Sequence, residues 1–217
     1  MVSCLINTDK YYYSFKIFLL ILVIVMESIE IRTTSIKDIN DIMQIEPMSF
    51  GASHWSRSTF INEINNINSQ YLSAEIISLQ KKDNSKIVGY IGYWKVLDEG
   101  HITTLAIHQD YRRRHVADIL LYNLICNASL NSIKWLTLEV RVSNIAALNL
   151  YKKFKFKHLG IRKNYYQSDN EDAYVLWTEN INNPEYLEYI KGIISPFVNK
   201  TVNTDKLQYA IPVKQLK

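Results

Sequence analysis

The 217-residue sequence contains few cysteines, only Cys4 and Cys126. Two cysteines are too few for a disulfide framework, so a reducing compartment is the expectation. Hydrophobic residues make up 47% of the chain and charged residues 21%. This balance argues against a disordered, collagen-like or low-complexity protein and allows a single domain with a substantial core.

Metal-ligand spacing and a dense basic stripe are also missing. The histidines form neither an HExxH motif nor any paired spacing, so we expect no zinc or haem site. With 25 Lys+Arg against 21 Asp+Glu, the net charge is +4, which favours anionic ligands only weakly. We therefore expect no direct nucleic-acid binding. The histidines are His54, His101, His108, His115 and His158.

No apolar run reaches the roughly 20 residues of a membrane-spanning helix. The longest, IFLLILVIVM at 17–26, has ten residues and is followed by Glu27 without a small-residue cleavage site. Three interpretations stay open: an anchor or targeting segment, a buried extra segment, or untranslated residues upstream of a start at Met26. Membrane association is the less favoured of these. The chain divides into a hydrophobic extension over 1–27, a domain over 28–179 and a C-terminal appendage over 180–217.

From residue 28 onward, hydrophobic periodicity predicts the order βααβββαβαββ. Ser35 and Ser56 are typical caps for the first two helices, and Pro47 is expected to end the first. In the appendage, Asn183 and Pro184 indicate a short helix over 184–191, while docking of the appendage is left open. The order indicates one α/β (α+β) domain with helices on both faces of a sheet. Strands are predicted at 29–33, 71–80, 87–96, 101–107, 135–140, 157–166 and 173–178, and helices at 36–46, 57–66, 116–131 and 144–153.

Two segments carry charged groups suited to group transfer. In TTLAIHQDYRRRHVADILL a strand leads through basic residues into a helix, and a helix N-terminus suits a phosphate group. The alternatives are a solvated basic turn or a weak nucleic-acid-binding module. In WLTLEVRVSN, burial beside an apolar strand is expected to raise the pKa of Glu139, which makes it a candidate general base. The alternative is an ion pair with Arg141 or another cation.

Two further segments offer polar and aromatic groups. Asn144 and Tyr151 are seven residues apart on one predicted helix, so both face the same side. The alternative for Tyr151 is a core position with a satisfied hydroxyl. Trp55 precedes the cap of the second helix and suits a pocket lip, or else a hydrophobic staple.

These segments together resemble the GNAT superfamily of acyl-CoA-dependent N-acetyltransferases, over roughly residues 29–177. The strings LEVRVSNIAALNLY and RKNYY are similar to its ribosomal-protein-alanine N-acetyltransferase (RimI-like) branch. The resemblance implies a bent mixed sheet that splays between strands four and five, where acetyl-CoA binds. It also implies transfer of acetyl to a primary amine, in the RimI-like branch the α-amine of a protein N-terminus such as that of a ribosomal protein.

Site residues follow from the same resemblance. Glu139 is expected to be the general base and Tyr151 the general acid, Asn144 to contact the cofactor and Trp55 to lie near the peptide entry. His115 departs from the family loop, which has glycine there. The expected acetyl-CoA-binding residues are Leu105, Ala106 and Ile107 on the strand, and Arg112, Arg113, Arg114, His115, Val116, Ala117 and Asp118 in the pyrophosphate loop.

A second hypothesis is a non-catalytic acyl-CoA-binding or regulatory relative, tethered to a membrane through the apolar run at 17–26. In that case His115 marks decay of the loop. The composition is rich in Ile, Asn, Lys and Tyr, and similar frames occur in algal plastid genomes. The expected location is therefore the cytoplasm or the plastid stroma.

Overall fold

The computed structural model describes residues 26–77, 86–198 and 208–212. Most of the apolar run at 17–26 and of the turn predicted at 81–86 lies outside them. The described residues include eight strands, which form one sheet in the order β6-β7-β5-β4-β3-β2-β1-β8. The strands are β1 (Met26–Thr33), β2 (Ser69–Ile77), β3 (Lys86–Val96), β4 (Glu99–Ile107), β5 (Trp135–Arg141), β6 (Lys157–Tyr166), β7 (Glu171–Trp177) and β8 (Gln208–Pro212). The helices are α1 (Ile39–Phe50), α2 (Arg57–Asn65), α3 (Val116–Leu130), α4 (Ile145–Lys153) and α5 (Pro184–Ile194).

The sheet opens between β4 and β5. These two strands are parallel and pair only over Glu99–His101 and Trp135–Thr137, whereas all other described neighbours are antiparallel. Strand β4 continues to Ile107 and β5 to Arg141 without a ladder between them. The expected mixed sheet, splayed between strands four and five, is confirmed.

Helices cover both faces of the sheet. Tyr90 and Ile91 are adjacent in β3 but belong to different buried clusters, so the clusters lie on opposite faces. The larger cluster contains the buried face of α3 and side chains of α5, and the smaller contains those of α1 and α2. Among the described residues, no helix is both long and apolar enough to cross a membrane.

The prediction that Pro47 ends the first helix is wrong. A 3-10 turn, Ile36–Asp38, comes first, and α1 then runs through Pro47 to Phe50. Proline's fixed φ is compatible with a helix, but inside one it removes a backbone hydrogen bond and its ring crowds the carbonyl four residues earlier, that of Met43. Buried contacts of the preceding residue, Glu46, hold this turn of the helix in place. The helix ends instead at Gly51, which has a φ of +56°.

The C-terminal segment packs on the domain and extends its sheet. Asn183 Oδ1 accepts a hydrogen bond from Glu185 N, which confirms the predicted helix start. The helix continues past its predicted end at residue 191 to Ile194, because Ile190 and Ile194 are both buried. Strand β8, which the sequence did not predict, then pairs antiparallel with β1.

Candidate active site

The opening between β4 and β5, here called the wedge, exposes backbone groups of β4. His108 N donates to Val88 O across the β3–β4 pair at 2.8 Å. Antiparallel pairs alternate, so Ala106 also turns its backbone groups towards β3, while Leu105 and Ile107 turn theirs towards the wedge. Backbone N–H donors in such a position suit a thioester carbonyl that gains negative charge.

The turn between β4 and α3 has the backbone of an anion-binding loop. Arg113 has a φ of +61° and His115 a φ of +63°, and α3 begins at the next residue, Val116. Turns of this kind, followed by a helix N-terminus, direct N–H groups at an anion. The residues present therefore fit a pyrophosphate. A left-handed backbone costs an L-residue about 1–2 kcal/mol, so His115 is strained where a glycine would not be.

The three loop arginines do not form one cationic group. Arg112 and Arg113 are exposed, but Arg114 is only 6% exposed, with its guanidinium 4.6 Å from the centre of the Tyr111 ring. Arg112 Nε donates to Ile107 O at 3.1 Å and so fastens the loop to β4. Val116 is buried and Ala117 half-buried, which leaves their backbone groups for any ligand contact.

The first turn of α3 holds a small charged cluster. Asp118 Oδ1 lies 2.6 Å from Lys153 Nζ, and Asp118 Oδ2 lies 3.2 Å from His115 Nδ1. Asp118 therefore ties the loop to the end of α4. Two members of this cluster, Asp118 and His115, belong to the set expected from the sequence, whereas Lys153 does not.

Glu139 lies on β5, beyond the residues that pair with β4 and therefore beside the wedge. Its side chain is 22% exposed. Its Oε1 lies 3.1 Å from Arg162 Nη2, so the ion pair considered from the sequence exists. The partner is not Arg141, which instead binds Asp169 and Glu171 at 2.8 and 2.7 Å. Sequence spacing gave no signal for Arg162, because its strand is not adjacent to β5.

Tyr151 is a buried side chain of α4, and its ring packs on Phe156 with centroids 5.3 Å apart. Burial raises the pKa of its hydroxyl, and the nearby Tyr166 hydroxyl adds to this effect. Burial also raises the pKa of Tyr166 to about 12, and the charge of Glu139 contributes. Tyr166 is thus within electrostatic range of both Glu139 and Tyr151, although the sequence singled it out only as part of the RKNYY string.

Asn144 caps the helix that carries Tyr151. Its Oδ1 accepts a hydrogen bond from Ala147 N at 3.1 Å, and its side chain is exposed. Asn144 directly precedes α4 and Tyr151 lies within it, so one residue is at the exposed start of the helix and the other in the core. The cap fixes where α4 begins relative to β5.

Trp55 and Glu46 form a second, buried contact near the start of α2. The Trp55 ring packs on Phe60 with centroids 5.4 Å apart, which is the hydrophobic staple considered from the sequence. Trp55 N donates to Glu46 Oε1 at 2.9 Å, and the Tyr90 hydroxyl donates to Glu46 Oε2. Burial raises the pKa of Glu46 to about 7. Glu46 was not among the residues predicted from the sequence, although it stands at helical spacing from Ile39 and Ile42 in an apolar stripe.

Within the described ranges, no group of three or more His, Cys, Asp or Glu side chains is arranged to hold a metal ion.

Comparison with known proteins identifies the family. The model of the acetyltransferase (GNAT) family matches residues 39–156. A putative [ribosomal protein bS18]-alanine N-acetyltransferase of Bacillus subtilis is 37% identical over 148 residues, which is 68% of this chain and 93% of the relative. The [ribosomal protein bS18]-alanine N-acetyltransferase of Escherichia coli is 34% identical over 124 residues, 56% of this chain and 78% of the relative.

Solved structures agree with the sequence relatives. The crystal structure of the ribosomal-protein-S18-alanine N-acetyltransferase from Escherichia coli superimposes with a TM-score of 0.60 and 28% identity. The match covers 70% of this chain and 94% of that structure. The wedge, the loop and these matches together show that the chain is an N-acetyltransferase and belongs to the GNAT family.

Proposed function

We propose that this protein transfers the acetyl group of acetyl-CoA to the α-amine of a protein N-terminus, in particular an N-terminal alanine like that of ribosomal protein bS18. The observation that carries the proposal is the wedge, with donors of β4 on one side and Glu139 of β5 on the other. Two relatives at 37% and 34% identity bear the name of this activity. Bound acetyl-CoA supplies the activated acyl group.

In this proposal Glu139 accepts a proton from the attacking amine. An α-amine has a pKa of about 7.7–8.0 against about 10.4 for lysine, so a carboxylate of modest strength suffices for an N-terminus. The amine nitrogen bonds to the carbonyl carbon, and the carbon–sulfur bond then breaks. The N–H of Leu105 stabilises the carbonyl oxygen in between.

Tyr151 donates its proton to the departing sulfur. Burial raises the pKa of its hydroxyl, which keeps the hydroxyl protonated at neutral pH. The thiol of CoA has an ordinary pKa of about 8.5, well below that of the Tyr151 hydroxyl. Desolvation in the same site also raises the pKa of the thiol, so the difference between the two pKa values becomes smaller. The proton held by Glu139 returns to Tyr151 through solvent, so one amine proton ends on the thiol.

The test uses two peptides of matched composition. One carries a free N-terminal alanine and no lysine, and the other has a blocked N-terminus and one lysine. We expect the full chain to release CoA and add one acetyl group, by intact mass, only to the first. Glu139→Gln should lower kcat/KM by roughly 10²–10⁴-fold, the usual range for a general base.

Glu188→Gln is the matched control, since Glu188 is a 76% exposed carboxylate on α5 and should keep full activity. Acetyl-CoA binding without turnover on either peptide would favour the non-catalytic alternative. Acetylation of the lysine peptide alone would contradict the proposal and show that the substrate is a lysine side-chain amine and not an N-terminal α-amine.

A further inference from the structure

The C-terminal segment places an aromatic ring on the pyrophosphate loop. The Phe197 ring stacks on the His115 imidazole, with centroids 4.5 Å apart and planes inclined by 26°. Phe197 lies beyond residues 39–156, the range that matches the family model. The loop is therefore contacted by a part of the chain that the family match does not include.

This ring is held from both sides. On its N-terminal side, α5 buries Ile194 in the core, and the Tyr186 hydroxyl donates to Phe154 O at 3.0 Å. On its C-terminal side, Val198 forms a β-bridge with Tyr209 of β8. The 3-10 turn that carries Phe197, Ser195–Phe197, is thus fixed between a docked helix and a docked strand.

His115 needs such support because of its backbone. Its φ of +63° belongs to the left-handed region, which costs a histidine more free energy than a glycine. The imidazole is constrained twice: its Nδ1 lies 3.2 Å from Asp118 Oδ2, and its ring face lies against Phe197. A glycine would adopt the same backbone conformation unaided.

We propose that Phe197 is a positioning residue for acetyl-CoA: it holds His115 in the left-handed conformation that directs the loop N–H groups at the pyrophosphate. The inference rests on the proposed function, because it assumes that acetyl-CoA binds in the wedge. In this proposal Phe197 acts through its stacking on His115 and not on the reacting atoms. The C-terminal segment thus stabilises, for a histidine, a left-handed backbone conformation that a glycine would adopt without such contacts.

A double-mutant cycle tests the inference on the full chain. The four proteins are wild type, Phe197→Ala, His115→Gly and the double variant, and CoA affinity is measured by calorimetry. In the wild-type background, we expect Phe197→Ala to weaken CoA binding about fivefold. In the His115→Gly background, the same substitution should weaken it by less than about twofold. Equal weakening in both backgrounds, or none in either, would overturn the inference.

Steady-state kinetics separate positioning from a general loss of structure. We expect Phe197→Ala to raise KM for acetyl-CoA about fivefold, with kcat and KM for the peptide within about twofold of wild type. Phe197→Tyr keeps the ring and should restore the affinity, whereas Phe197→Leu keeps only the apolar bulk and should not. If Phe197→Ala fails to fold, the Tyr and Leu variants decide, and equal CoA affinity in these two contradicts the inference.

The outcomes also separate this inference from the proposed function. A wild-type protein that binds no CoA refutes both. A wild-type protein that binds CoA and acetylates the alanine peptide, with no coupling between positions 115 and 197, refutes only the role of Phe197.

Discussion

Arg162 Nη2 lies 3.1 Å from Glu139 Oε1, although β7 separates the strands that carry the two residues. Ala173 of β7 pairs with Arg141 of β5 on one side and with Arg162 of β6 on the other. Glu139 itself pairs with Val175, two residues further along β7, so the long guanidinium crosses the intervening strand diagonally. The proposed base is therefore paired with a cation, and in the proposed reaction a positively charged N-terminus has to reach Glu139 beside it.

Arg162→Ala is expected to increase kcat/KM for the alanine peptide by up to about fivefold, which corresponds to about 1 kcal/mol. The substitution removes a competitor for Glu139 and a repulsive charge. Unfolding in urea should change little, because the Arg162 side chain is 57% exposed. Steady-state assays at two salt concentrations provide the measurement, and the gain should shrink at the higher one.

Lys163→Ala serves as the control, since it removes a neighbouring cation that pairs with Asp172. A tenfold or greater loss of kcat/KM in Arg162→Ala alone would mean that Arg162 holds the substrate and does not compete with it.

Tyr151→Phe is expected to lower kcat by about ten- to a hundredfold while CoA affinity stays unchanged. The variant keeps the buried ring and its packing on Phe156, so its unfolding free energy should stay within about 1 kcal/mol of wild type. The matched control is Tyr189→Phe, which removes a hydroxyl that donates to Lys153 O at the end of the same helix. A Tyr151→Phe enzyme with the kcat of the control would remove this residue from the chemistry.

Local patterns predicted most of the sheet and helices. Ser56 and Asn183 cap their helices through side-chain bonds to Thr59 N and Glu185 N, as their residue types indicate. The alternating and helical periods gave elements whose bounds agree with the structure within a few residues. The end of α1 was wrong because buried contacts of Glu46 outweighed the local preference of proline.

Contacts between distant segments had no local signal. Strand β8 pairs with β1 although about 180 residues separate them in the sequence. Its five residues are too few to show a clear alternation of apolar and polar side chains. The Glu139–Arg162 pair depends on strand order, and the His115–Phe197 stack depends on docking of α5. For the site, the sequence thus indicated Glu139, Tyr151 and the loop but not the side chains that position them.

Glu46 is expected to make stability depend on pH. Its pKa is about 7 in the folded protein against a usual value of 4.5, because burial disfavours its charge. Between these values the folded state binds a proton that the unfolded chain lacks, so its contribution to stability falls as pH rises. The slope reaches at most about 1.4 kcal/mol per pH unit.

Glu46→Gln should remove this slope, because glutamine mimics the protonated acid: its oxygen accepts from Trp55 N and its amide donates to Tyr90. Urea unfolding of both proteins is measured from about pH 5 to 8, and the unfolding free energy of one is subtracted from that of the other. The subtraction removes the effect of other titrating groups, such as His108, whose pKa is lowered by burial. Parallel curves for the two proteins would show that Glu46 titrates normally.

Tyr209→Ala tests whether β8 belongs to the cooperative domain. Tyr209 is fully buried, its hydroxyl interacts with Asn123 Nδ2 at 3.0 Å, and its strand covers the edge of β1. Truncation leaves a cavity and removes a hydrogen bond of Asn123, whose Nδ2 still donates to Ile119 O, so we expect a loss of about 3 kcal/mol or more in unfolding free energy. Leu130→Ala, at an 87% exposed apolar position, should stay within about 0.5 kcal/mol.

An uncovered β1 edge also presents free N–H and C=O groups to other molecules. We therefore expect Tyr209→Ala to form concentration-dependent oligomers in light scattering, whereas Leu130→Ala behaves as wild type. If Tyr209→Ala unfolds at the wild-type urea concentration, β8 contributes nothing to folding. In that case the bridge between Val198 and Tyr209 could not be what fixes the position of Val198. Because that bridge orients the turn bearing Phe197, loss of β8 should also weaken CoA binding, and calorimetry on the same variant measures this directly.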